Sequence, residues 1–284
     1  MNAAGTLYLV STPIGNLGDF TYRAIEVLRS SDTILAEDTR RTRILLDHYD
    51  ITSRNLKSYH KHNEAARSEE VQAKLAAGGT VALVSDSGTP LVSDPGLRLV
   101  RASIDVGARV VAVPGPSAVL AALVASGLDP EPFSFFGFLQ RSGRERRELV
   151  ETLAGLRHTA VLYESPQRLL KTLEELREAL GGERRVVIAR EITKIHEEYV
   201  RGTLDEAVAY YREHAPRGEI VLCLAGAPDE PEAELEEKAR VEARSLARDG
   251  AKSKEIVRAL RDEFGLDRNR AYAIALEVSG EEKC

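Results

Sequence analysis

Ser85-Asp86-Ser87-Gly88-Thr89-Pro90-Leu91-Val92-Ser93-Asp94-Pro95-Gly96 is the stretch around which the rest of the chain is organised. It follows an apolar run at 81–84 that predicts a buried strand, and it precedes residues 97–104, whose apolar spacing predicts a helix. Ligands of open α/β sheets bind outside the carboxyl ends of the strands. The 85–96 loop is therefore expected to lie where a ligand binds.

The residue types of the 85–96 loop also favour a binding site. Gly88 and Gly96 permit positive φ and close approach of a ligand to the backbone, while Pro90 and Pro95 stiffen the loop. Asp86 lies at the tip of the strand and is placed to hold a cation or to accept a hydrogen bond from a hydroxyl or an amine.

The alternative is an ordinary strand-to-helix turn, with Asp94 as the helix N-cap and Pro95 in the first helical turn. A turn needs only about four or five such residues, so it does not account for the whole stretch. Both interpretations hold together if Asp94-Pro95 forms the cap and residues 85–90 form the site.

The bulk composition indicates a folded chain with room for two domains of ordinary size. It has 284 residues, 43% hydrophobic and 30% charged, and the lack of Trp predicts an aliphatic core. The net charge of −6 argues against binding nucleic acid through bulk charge. Any RNA contact is therefore expected to come from local patches.

Cysteine usage and hydropathy favour a cytoplasmic protein. Cys223 and Cys284 lie far apart and form neither a metal set nor a disulfide framework, as expected in a reducing compartment. Residues 1–5 carry no signal region, and the longest apolar stretch, 110–126, is interrupted by Pro114-Gly115-Pro116-Ser117. No membrane association is expected.

A second loop of the same kind follows the first predicted strand. The β-rich run at 6–10 leads into Ser11-Thr12-Pro13-Ile14-Gly15-Asn16-Leu17-Gly18-Asp19 and then into a predicted helix at 21–30. The loop lacks G-x-G-x-x-G, which argues against a dinucleotide site.

A third loop follows the strand predicted at 110–113. It reads Pro114-Gly115-Pro116-Ser117-Ala118, and Ser117 is placed to cap a helix at 118–126. The free N–H groups at such a helix start form a small anion or carboxylate site. Three loops of this kind at successive strand ends favour one ligand-binding edge.

Charged residues follow the strand predicted at 33–36. The segment 37–43 is interpreted either as a capped helix start with solvated arginines or as a polar cluster that faces the cleft. His60 and His62 lie two apart, but no acidic or cysteine partner has matching spacing, so no metal site is expected. A substrate-contact loop is the preferred interpretation of that region.

The second half begins after a linker-like segment at 127–132. The segment 140–147 is basic and contains Gly, which predicts either a solvated helix entry or a phosphate-contact loop. The remaining pattern alternates strands with helices, and neighbouring strands such as the last two are candidates for antiparallel pairing in a mixed sheet. The predicted strands are 159–163, 185–189, 199–202 and 219–225, and the predicted helices are 166–180 and 204–214.

The composition changes after residue 228. Residues 229–237 carry six acids, whereas 238–270 carry ten bases and six acids. Three short helices are predicted at 234–248, 253–264 and 268–278. This is the size of a helix-turn-helix-like bundle, and a plain helical tail with charged outer faces is the alternative.

Five motifs stand in order along the chain and together resemble one family. They are Ser11 to Asp19, Ala36-Glu37-Asp38-Thr39-Arg40, Ser85 to Gly96, Val113-Pro114-Gly115-Pro116-Ser117-Ala118 and Tyr163-Glu164-Ser165-Pro166-Gln167-Arg168. The chain resembles the bacterial 16S rRNA ribose methyltransferase I family, which belongs to the tetrapyrrole-methylase-like, class III methyltransferases. Where tetrapyrrole methylases often carry Gly-Asp-Pro, this chain has Ser85-Asp86-Ser87, which favours the rRNA branch over porphyrinoid enzymes. The alternatives are a porphyrinoid methyltransferase on the same fold and a non-catalytic RNA-binding protein.

The resemblance implies an α/β protein with two α/β domains, S-adenosylmethionine in the cleft between them, and a helical tail. The N-terminal α/β domain that it implies spans residues 1–114, the C-terminal α/β domain spans 115–228, and the helical tail spans 229–284. It also implies a homodimer that methylates a cytidine 2′-hydroxyl of 16S rRNA in the small ribosomal subunit. The cofactor contacts that it implies are Pro13, Ile14, Asp86, Ser87, Gly88, Thr89, Pro90, Ser117, Ala118, Tyr163, Ala189, Arg190 and Ala225.

The chemistry asks little of the protein beyond alignment and a base. A sulfonium methyl is already activated, so catalysis rests mainly on in-line alignment with the attacking oxygen, and a base assists the ribose hydroxyl. The candidate bases are Glu37, Asp38 and His60. Lys194 and Arg40 are candidates to hold phosphate or to lower the pKa of the hydroxyl, and the sequence selects none of the five.

Overall fold

The computed structural model describes residues 4–52, 55–228 and 232–281, and within the last range the side chains of residues 235–278. The described part of the chain divides into two compact units, one up to Ala227 and one from Pro228 onward. Three parts of the sequence discussed above lie outside the described residues. They are residues 1–3, residues 229–231 at the start of the acidic run, and Cys284.

The first sheet is entirely parallel, in the order β3-β2-β4-β1-β5. Its strands are β1 (Thr6–Val10), β2 (Thr33–Ala36), β3 (Leu56–Ser58), β4 (Thr80–Val84) and β5 (Arg109–Val113). The helices between them are α1 (Tyr22–Ser30), α2 (Thr39–His48), α3 (Glu64–Ala76) and α4 (Leu97–Asp105). All five strands therefore end at the same edge of the sheet.

Both faces of this sheet are covered, because successive side chains of a strand point to opposite faces. Ala82 and Val84 of β4 pack with residues of α1 and α2, whereas Val81 and Leu83 pack with residues of α3 and α4. The predicted strand at 81–84 is confirmed. The strand β3 was not predicted because it is only three residues long and carries the polar Lys57 and Ser58.

The second sheet is mixed, in the order β6-β7-β10-β8-β9. Its strands are β6 (Phe133–Phe138), β7 (Thr159–Glu164), β8 (Arg185–Arg190), β9 (Glu198–Thr203) and β10 (Ile220–Leu224). The helices are α5 (Ala118–Ser126), α6 (Arg144–Gly155), α7 (Pro166–Leu180) and α8 (Leu204–Glu213). The pair β6 and β7 is parallel, and the other neighbouring pairs are antiparallel.

The predicted mixed sheet is confirmed, but the suggested pairing of the last two strands is wrong. β10 lies between β7 and β8, and β9 forms the far edge beside β8. Burial explains the order. All five residues of β10 are buried, whereas every residue of β9 keeps some exposure.

The predicted helix cap at Asp94 is also wrong. α4 begins at Leu97, and its N-cap is Gly96, which provides no side-chain hydrogen bond. The Asp94 carboxylate instead accepts a hydrogen bond from the Ser85 hydroxyl, back at the end of β4. Pro95 consequently precedes the helix by two residues and is not part of its first turn.

The unit from Pro228 onward contains the three predicted helices. They are α9 (Glu232–Arg248), α10 (Ser253–Phe264) and α11 (Arg268–Glu281). Their apolar faces form a core of their own that includes Ala243, Ile256, Leu260, Ala271 and Ile274. None of the described helices combines the length and the apolar content that a membrane span needs.

Candidate active site

Hydrogen bonds join the loops that follow β1, β4 and β5. The backbone of Thr12 donates to Gly88 O at 2.9 Å, and Gly88 N donates to Thr12 O at 3.1 Å. The hydroxyls of Ser11 and Thr89 lie 3.1 Å apart, and Thr89 donates to Pro116 O at 3.3 Å. The three predicted loops therefore form one connected surface at the carboxyl edge of the first sheet.

Two glycines of the 85–96 loop adopt positive φ, which favours glycine at both positions. Gly88 has φ +79°, and a Cβ there would lie 3.3 Å from Ile14 Cγ2. Gly96 has φ +147°, and a Cβ there would lie 2.9 Å from Leu91 Cδ1 and 3.0 Å from Leu83 Cδ2. A side chain at Gly96 would press on Leu91 of the same loop and on Leu83 of β4.

The same loop also contains backbone strain. Leu91 and Ser93 adopt φ values of +71° and +70°, in the left-handed region that non-glycine residues seldom occupy. Each such residue costs on the order of 1 kcal/mol, and such strain clusters at functional sites. The strain accompanies the turn that brings Asp94 back to Ser85.

A cavity of about 380 Å³ lies between the two sheets, and we call it the inter-sheet cavity. One wall comes from the loops after β1, β4 and β5, and the other from β6, β7, β10 and the segments beside them. Its lining residues are Ile14, Ser87, Gly88, Thr89, Val92, Ser93, Asp94, Ser117, Ala118, Phe138, Tyr163, Glu164, Ser165, Pro166, Ile192, Gly218, Glu219, Ile220 and Val221. It thus combines an apolar floor with hydroxyl and carboxylate groups, as small-molecule sites do.

Seven of the thirteen residues predicted to contact a cofactor line this cavity. They are Ile14, Ser87, Gly88, Thr89, Ser117, Ala118 and Tyr163. Ser117 also caps α5 as predicted, because its side chain accepts from Leu120 N.

The other six predicted contacts lie elsewhere. Pro13 and Asp86 line a separate cavity of about 160 Å³ beside α2, and Pro90 is buried within its loop. Ala189 is buried in β8, and Arg190 donates to Glu198 at 2.9 Å. The sixth, Ala225, follows β10, and its carbonyl accepts a hydrogen bond from the guanidinium of Arg184.

Tyr163 closes one side of the cavity with an aromatic group. Its ring packs against Phe135 and Phe138, with centroids 5.0 Å and 5.3 Å away. Burial raises the pKa of Tyr163 to about 12, and the charges of Asp94 and Glu219 add to the shift. The hydroxyl therefore stays protonated and is able to donate a hydrogen bond into the cavity.

A buried ion pair explains the spacing of the Tyr163-to-Arg168 motif. Glu164 is 2% exposed and accepts hydrogen bonds of 2.7 Å from Ser165 N and from the Thr172 hydroxyl. Arg168, one helical turn along α7, lies 2.6 Å from Glu164 and also donates to Leu139 O. These contacts fix the start of α7 against the cavity.

The carboxylates of Glu37, Asp86 and Asp94 lie near one another, in the segments that follow β2 and β4. Burial, the charge of Asp94 and the charge of Asp86 raise the pKa of Glu37, against the opposing effect of Lys61 and His60. Lys61 and His60 follow β3, the neighbour of β2. The adjacent strands β3, β2 and β4 therefore contribute one charged cluster.

Asp38 and Arg40 form the start of α2. Asp38 is the N-cap and accepts from Arg40 N at 2.9 Å, and the two side chains pair at 2.7 Å. The hydrogen bond from Arg40 holds the pKa of Asp38 well below its usual value. The Arg40 side chain is 88% exposed, so this segment has the local form of a capped helix start with a solvated arginine.

His60 is partly buried beside this cluster. Its backbone N–H donates to Asn63 Oδ1 at 2.9 Å, and its Nδ1 atom is buried with no hydrogen-bond partner among the described residues. The rings of His60 and His62 lie 5.9 Å apart. Across the described ranges, no three His, Cys, Asp or Glu side chains are grouped so as to hold a metal ion.

Lys194 lies beside Glu219, a residue of the cavity lining. It donates hydrogen bonds to Glu191 at 2.7 Å and to Glu219 at 3.2 Å. Burial acts to lower the pKa of Lys194, but these two carboxylates outweigh it and raise the pKa above the usual value. Its side chain fills the space above Gly15, where a Cβ would collide with it.

Sequence reasoning missed several residues of the cavity wall. Asp94 was interpreted as a helix cap, and Glu219 was placed in a strand without a role. The neighbouring residues of Asp94 are typical of a turn and those of Glu219 are typical of a strand, so neither pattern indicated a binding role. Ile192 lacked a distinctive signal because apolar residues are common in the chain, whereas Phe138 lies in its densest aromatic run, 133–138, to which no role was given.

The comparisons with known proteins agree with this fold. Residues 6–208 match the family described as Tetrapyrrole (Corrin/Porphyrin) Methylases. A ribosomal RNA small subunit methyltransferase I from Synechocystis sp. is 48% identical over 278 residues, which cover 98% of this chain and 99% of that relative. The relative of the same name from Bacillus subtilis is 42% identical, with 93% and 90% covered.

Solved structures of low identity share the fold. A cobalt precorrin-4 methyltransferase aligns with a TM-score of 0.60 and 18% identity, over 78% of this chain and 94% of that one. A uroporphyrin-III-C-methyltransferase from Thermus thermophilus aligns with a TM-score of 0.54 and 20% identity, over 77% and 94%. The predicted fold class is confirmed.

The two sheets and the cavity between them define a methyltransferase of the tetrapyrrole methylase class. The relatives that match almost the whole chain narrow this class further. The chain belongs to the ribosomal RNA small subunit methyltransferase I family.

Proposed function

We propose that this enzyme transfers a methyl group from S-adenosylmethionine to the ribose 2′-hydroxyl of a cytidine in 16S rRNA of the small ribosomal subunit. The observation that carries the proposal is the 48% identity to a ribosomal RNA small subunit methyltransferase I over 98% of the chain. The inter-sheet cavity, built from the motifs of that resemblance, supports it.

The lining of the inter-sheet cavity fits such a cofactor. Its volume of about 380 Å³ lies in the range of small-molecule sites. Ser87, Thr89 and Ser117 offer hydroxyls for polar groups, and Ile14 and Val221 offer apolar surface for a purine. The carboxylates of Asp94 and Glu219 favour the positive charge of a sulfonium or an ammonium. S-adenosylmethionine supplies an activated methyl group when it is bound there.

The protein's own contribution is orientation and proton removal. The strained, hydrogen-bonded 85–96 loop holds its hydroxyls and carboxylates in fixed positions, which favours in-line alignment. Glu37, Asp38 and His60 stay candidates for the base, and Lys194 and Arg40 stay candidates for phosphate contact. Of these, Glu37 has a raised pKa, mainly because of burial, and a raised pKa makes a carboxylate a stronger proton acceptor.

We further propose a cytoplasmic homodimer organised as residues 1–114, 115–228 and 229–284. The first sheet lies within 1–114, and the second lies within 115–228. The exposed side of α5 supports dimerisation, because Leu120 and Val124 are 51% and 75% exposed on a helix that is apolar all round. Light scattering of Val124→Glu beside the wild type tests it, and the variant is expected to shift toward monomer.

A porphyrinoid methyltransferase on the same fold is the alternative, since the solved structures of this fold include such enzymes. Transfer of a tritiated methyl group into small ribosomal subunits, compared with transfer into uroporphyrinogen, decides between them. We expect label in the rRNA, located at a ribose by nuclease digestion. Label in uroporphyrinogen alone would overturn the proposal.

A further inference from the structure

A basic groove lies between the start of α6 and α7. Its volume is about 400 Å³, and we call it the α6–α7 groove. Four cations line it against three carboxylates, so the described lining is net positive on a chain whose net charge is −6. The four cations are Arg141, Arg146, Arg147 and Lys171.

Two of the three carboxylates of the groove are already paired with arginines. Glu175 lies 2.6 Å from the guanidinium of Arg146, and Glu174 lies 2.8 Å from that of Arg212, which is outside the groove lining. Glu178 is the third carboxylate, and in the described part of the chain it forms no ion pair. The local excess of positive charge is therefore larger than the residue types alone indicate.

The remaining three cations are available to a ligand. Arg141, Arg147 and Lys171 are exposed, and none of them forms an ion pair within the described ranges. On the same helix, by contrast, the side chain of Arg177 pairs with Asp205. Unpaired cations grouped along a groove fit the phosphates of a nucleic-acid strand.

Buried hydrogen bonds join this groove to the inter-sheet cavity. The carboxylate of Glu164, which lines the cavity, accepts from the Thr172 hydroxyl at 2.7 Å, and that hydroxyl accepts from Arg146 Nη2 at 3.0 Å. Arg146 is 6% exposed and also donates to Gln140 O at 2.8 Å. Two hydrogen bonds therefore link a residue of the cavity wall to a residue of the groove wall.

The chain itself makes the same connection twice. Phe138 lines the cavity and Arg141 lines the groove, so their Cα atoms lie at most about 11 Å apart. Pro166 lines the cavity and Lys171 lines the groove, and on one helix this spacing corresponds to about 7.5 Å along the axis. The cations are thus close enough to hold a strand of which one nucleotide enters the cavity.

The inter-sheet cavity offers no cation of its own to a phosphate. Its described lining contains the carboxylates of Asp94, Glu164 and Glu219, and neither lysine nor arginine. A nucleotide whose ribose enters the cavity keeps its phosphates outside, because the carboxylates repel them. The α6–α7 groove provides positive charge beside the cavity.

The cavity beside α2 is a weaker candidate for the same role. The charged residues of its described lining are one cation, Arg41, and one carboxylate, Asp86, so its lining is neutral. It also shares no described lining residue with the inter-sheet cavity.

We propose that the α6–α7 groove binds phosphates of the rRNA strand next to the acceptor nucleotide. Arg141, Arg147 and Lys171 are the phosphate contacts, and Arg146 is a positioning residue that holds the groove in place relative to the cavity. The proposal rests on the proposed function and deepens it, because it names the surface that docks the substrate. Phosphate contacts position a strand without reading its sequence, so the choice of nucleotide is left to the cavity.

The decisive experiment uses the triple variant Arg141→Ala/Arg147→Ala/Lys171→Ala of the full-length enzyme. Its KM for small subunits should rise on the order of tenfold, and the slope of log affinity against log salt should fall by about two, as three lost phosphate contacts predict. Its kcat at saturating subunits and its S-adenosylmethionine affinity by calorimetry should stay at wild-type values, because these side chains lie outside the cavity lining.

The matched control is Arg109→Ala/Arg157→Ala/Arg185→Ala. These three exposed arginines lie at or just before the amino ends of β5, β7 and β8, whereas the cavity lies at the carboxyl ends of β5 and β7. The control removes the same total charge and should change neither the KM nor the salt slope. The comparison therefore separates contacts in the groove from the change in net charge.

The positioning role of Arg146 is tested by Arg146→Met, which keeps a long side chain and removes the charge. Its KM for small subunits should rise, while its salt slope and its cofactor affinity should match the wild type, because the three phosphate contacts remain. Arg146→Lys should recover part of the KM. A lower salt slope in Arg146→Met would make Arg146 a direct phosphate contact, and an unchanged KM would overturn its positioning role.

The outcomes separate this inference from the proposed function. Wild-type enzyme that labels no rRNA, or that labels uroporphyrinogen alone, overturns both. Active wild type with equal effects of the two triple variants on KM and salt slope overturns the groove alone. Loss of S-adenosylmethionine affinity in the groove variant would assign these cations to the cofactor site and would also overturn the groove as a substrate surface.

Discussion

The carboxylate of Asp86 accepts a hydrogen bond of 2.8 Å from the backbone N–H of Asp38. This contact ties the end of β4 to the end of β2, so that the 85–96 loop and the start of α2 are held together. Asp86 follows a buried strand and lies beside the inter-sheet cavity without lining it. Through this hydrogen bond Asp86 holds the start of α2 beside its own loop.

Substitution of Asp86 by alanine should therefore loosen both segments. The Asp38 N–H loses its acceptor, which costs about 1–2 kcal/mol in the free energy of unfolding, and affinity for S-adenosylmethionine should weaken as the loop loses order. Asp86→Asn keeps an amide oxygen in the same place and should lose less of both. Urea unfolding and calorimetry measure the two effects. Wild-type stability in Asp86→Ala would contradict the positioning role.

A bulky side chain at Ser117 should block the inter-sheet cavity. Ser117 lines the cavity and caps α5, so Ser117→Trp removes the cap and also fills space that a ligand needs. Ser117→Ala is the matched control because it removes the hydroxyl and its cap, at about 1 kcal/mol, without filling the cavity. Calorimetry should show loss of S-adenosylmethionine binding in Ser117→Trp and near-normal binding in Ser117→Ala. Equal binding by both variants would place the ligand elsewhere.

The ion pair of Glu164 and Arg168 should contribute strongly to the stability of the junction between β7 and α7. Arg168→Ala leaves a carboxylate that is 2% exposed without its cation, and the expected cost is roughly 2–3 kcal/mol, below the fully buried case because Arg168 is 25% exposed. Arg177→Ala is the matched control, since its partner Asp205 is half exposed, and it should cost less than about 1 kcal/mol.

A double variant checks the cause of that loss. Glu164→Gln/Arg168→Ala removes the stranded charge and should recover part of the stability that Arg168→Ala loses. Chemical unfolding of the four proteins forms the cycle. Additive losses would mean that the two side chains do not interact, which would contradict the 2.6 Å contact.

The sequence predicts local features of this fold well, because their causes are local. The capping serine before α5 and the proline at the start of α7 lie where short-range backbone chemistry places them. Apolar runs located β1, β2 and β4, since a covered parallel strand is apolar on both faces.

The features that depend on distant contacts were not predictable. Asp94 follows the pattern of a helix cap, yet Ser85 turns it toward the cavity, and only the path of the whole loop reveals this. The position of β10 between β7 and β8 is set by burial in the complete sheet. The packing of Lys194 over Gly15 joins residues far apart in the sequence, so no spacing signals it.

Removal of residues 229–284 should separate cofactor binding from RNA binding. The inter-sheet cavity is formed entirely by residues before 228, and α9, α10 and α11 have an apolar core of their own. Lys254, Arg258 and Arg261 are exposed along α10, which fits contact with phosphates. Leu260, Ala271 and Ile274 lie in that core.

The truncated protein, once shown to be folded, should keep its S-adenosylmethionine affinity. Its affinity for small subunits should weaken, with a flatter salt dependence, because phosphate contacts are lost. Both affinities are measured on the same sample. A joint loss of the two would mean that the tail stabilises the catalytic body and has no separate RNA contact.

The difference in stability between Asp94→Asn and the wild type should change with pH, because only the wild type carries the Asp94 carboxylate. Burial and Asp86 raise the folded-state pKa of Asp94 above the unfolded value, so its stabilising contribution is present below the unfolded pKa and is lost as pH rises through the folded pKa. The melting temperature of Asp94→Asn relative to wild type should therefore be higher at pH 8 than at pH 4.

Asp38→Asn provides the control of opposite sign for that experiment. The hydrogen bond from Arg40 lowers the pKa of Asp38, so its contribution is present above the unfolded pKa and is lost as pH falls through the folded pKa. Asparagine caps helices as well as aspartate, so the N-cap survives. Asp38→Asn should be less stable than the wild type at pH 8, and the two proteins should become equally stable in acid. The difference at pH 8 should be small because the Asp38–Arg40 pair lies in solvent. Differences of the same sign for the two variants would show that the melting temperatures report something other than these carboxylates.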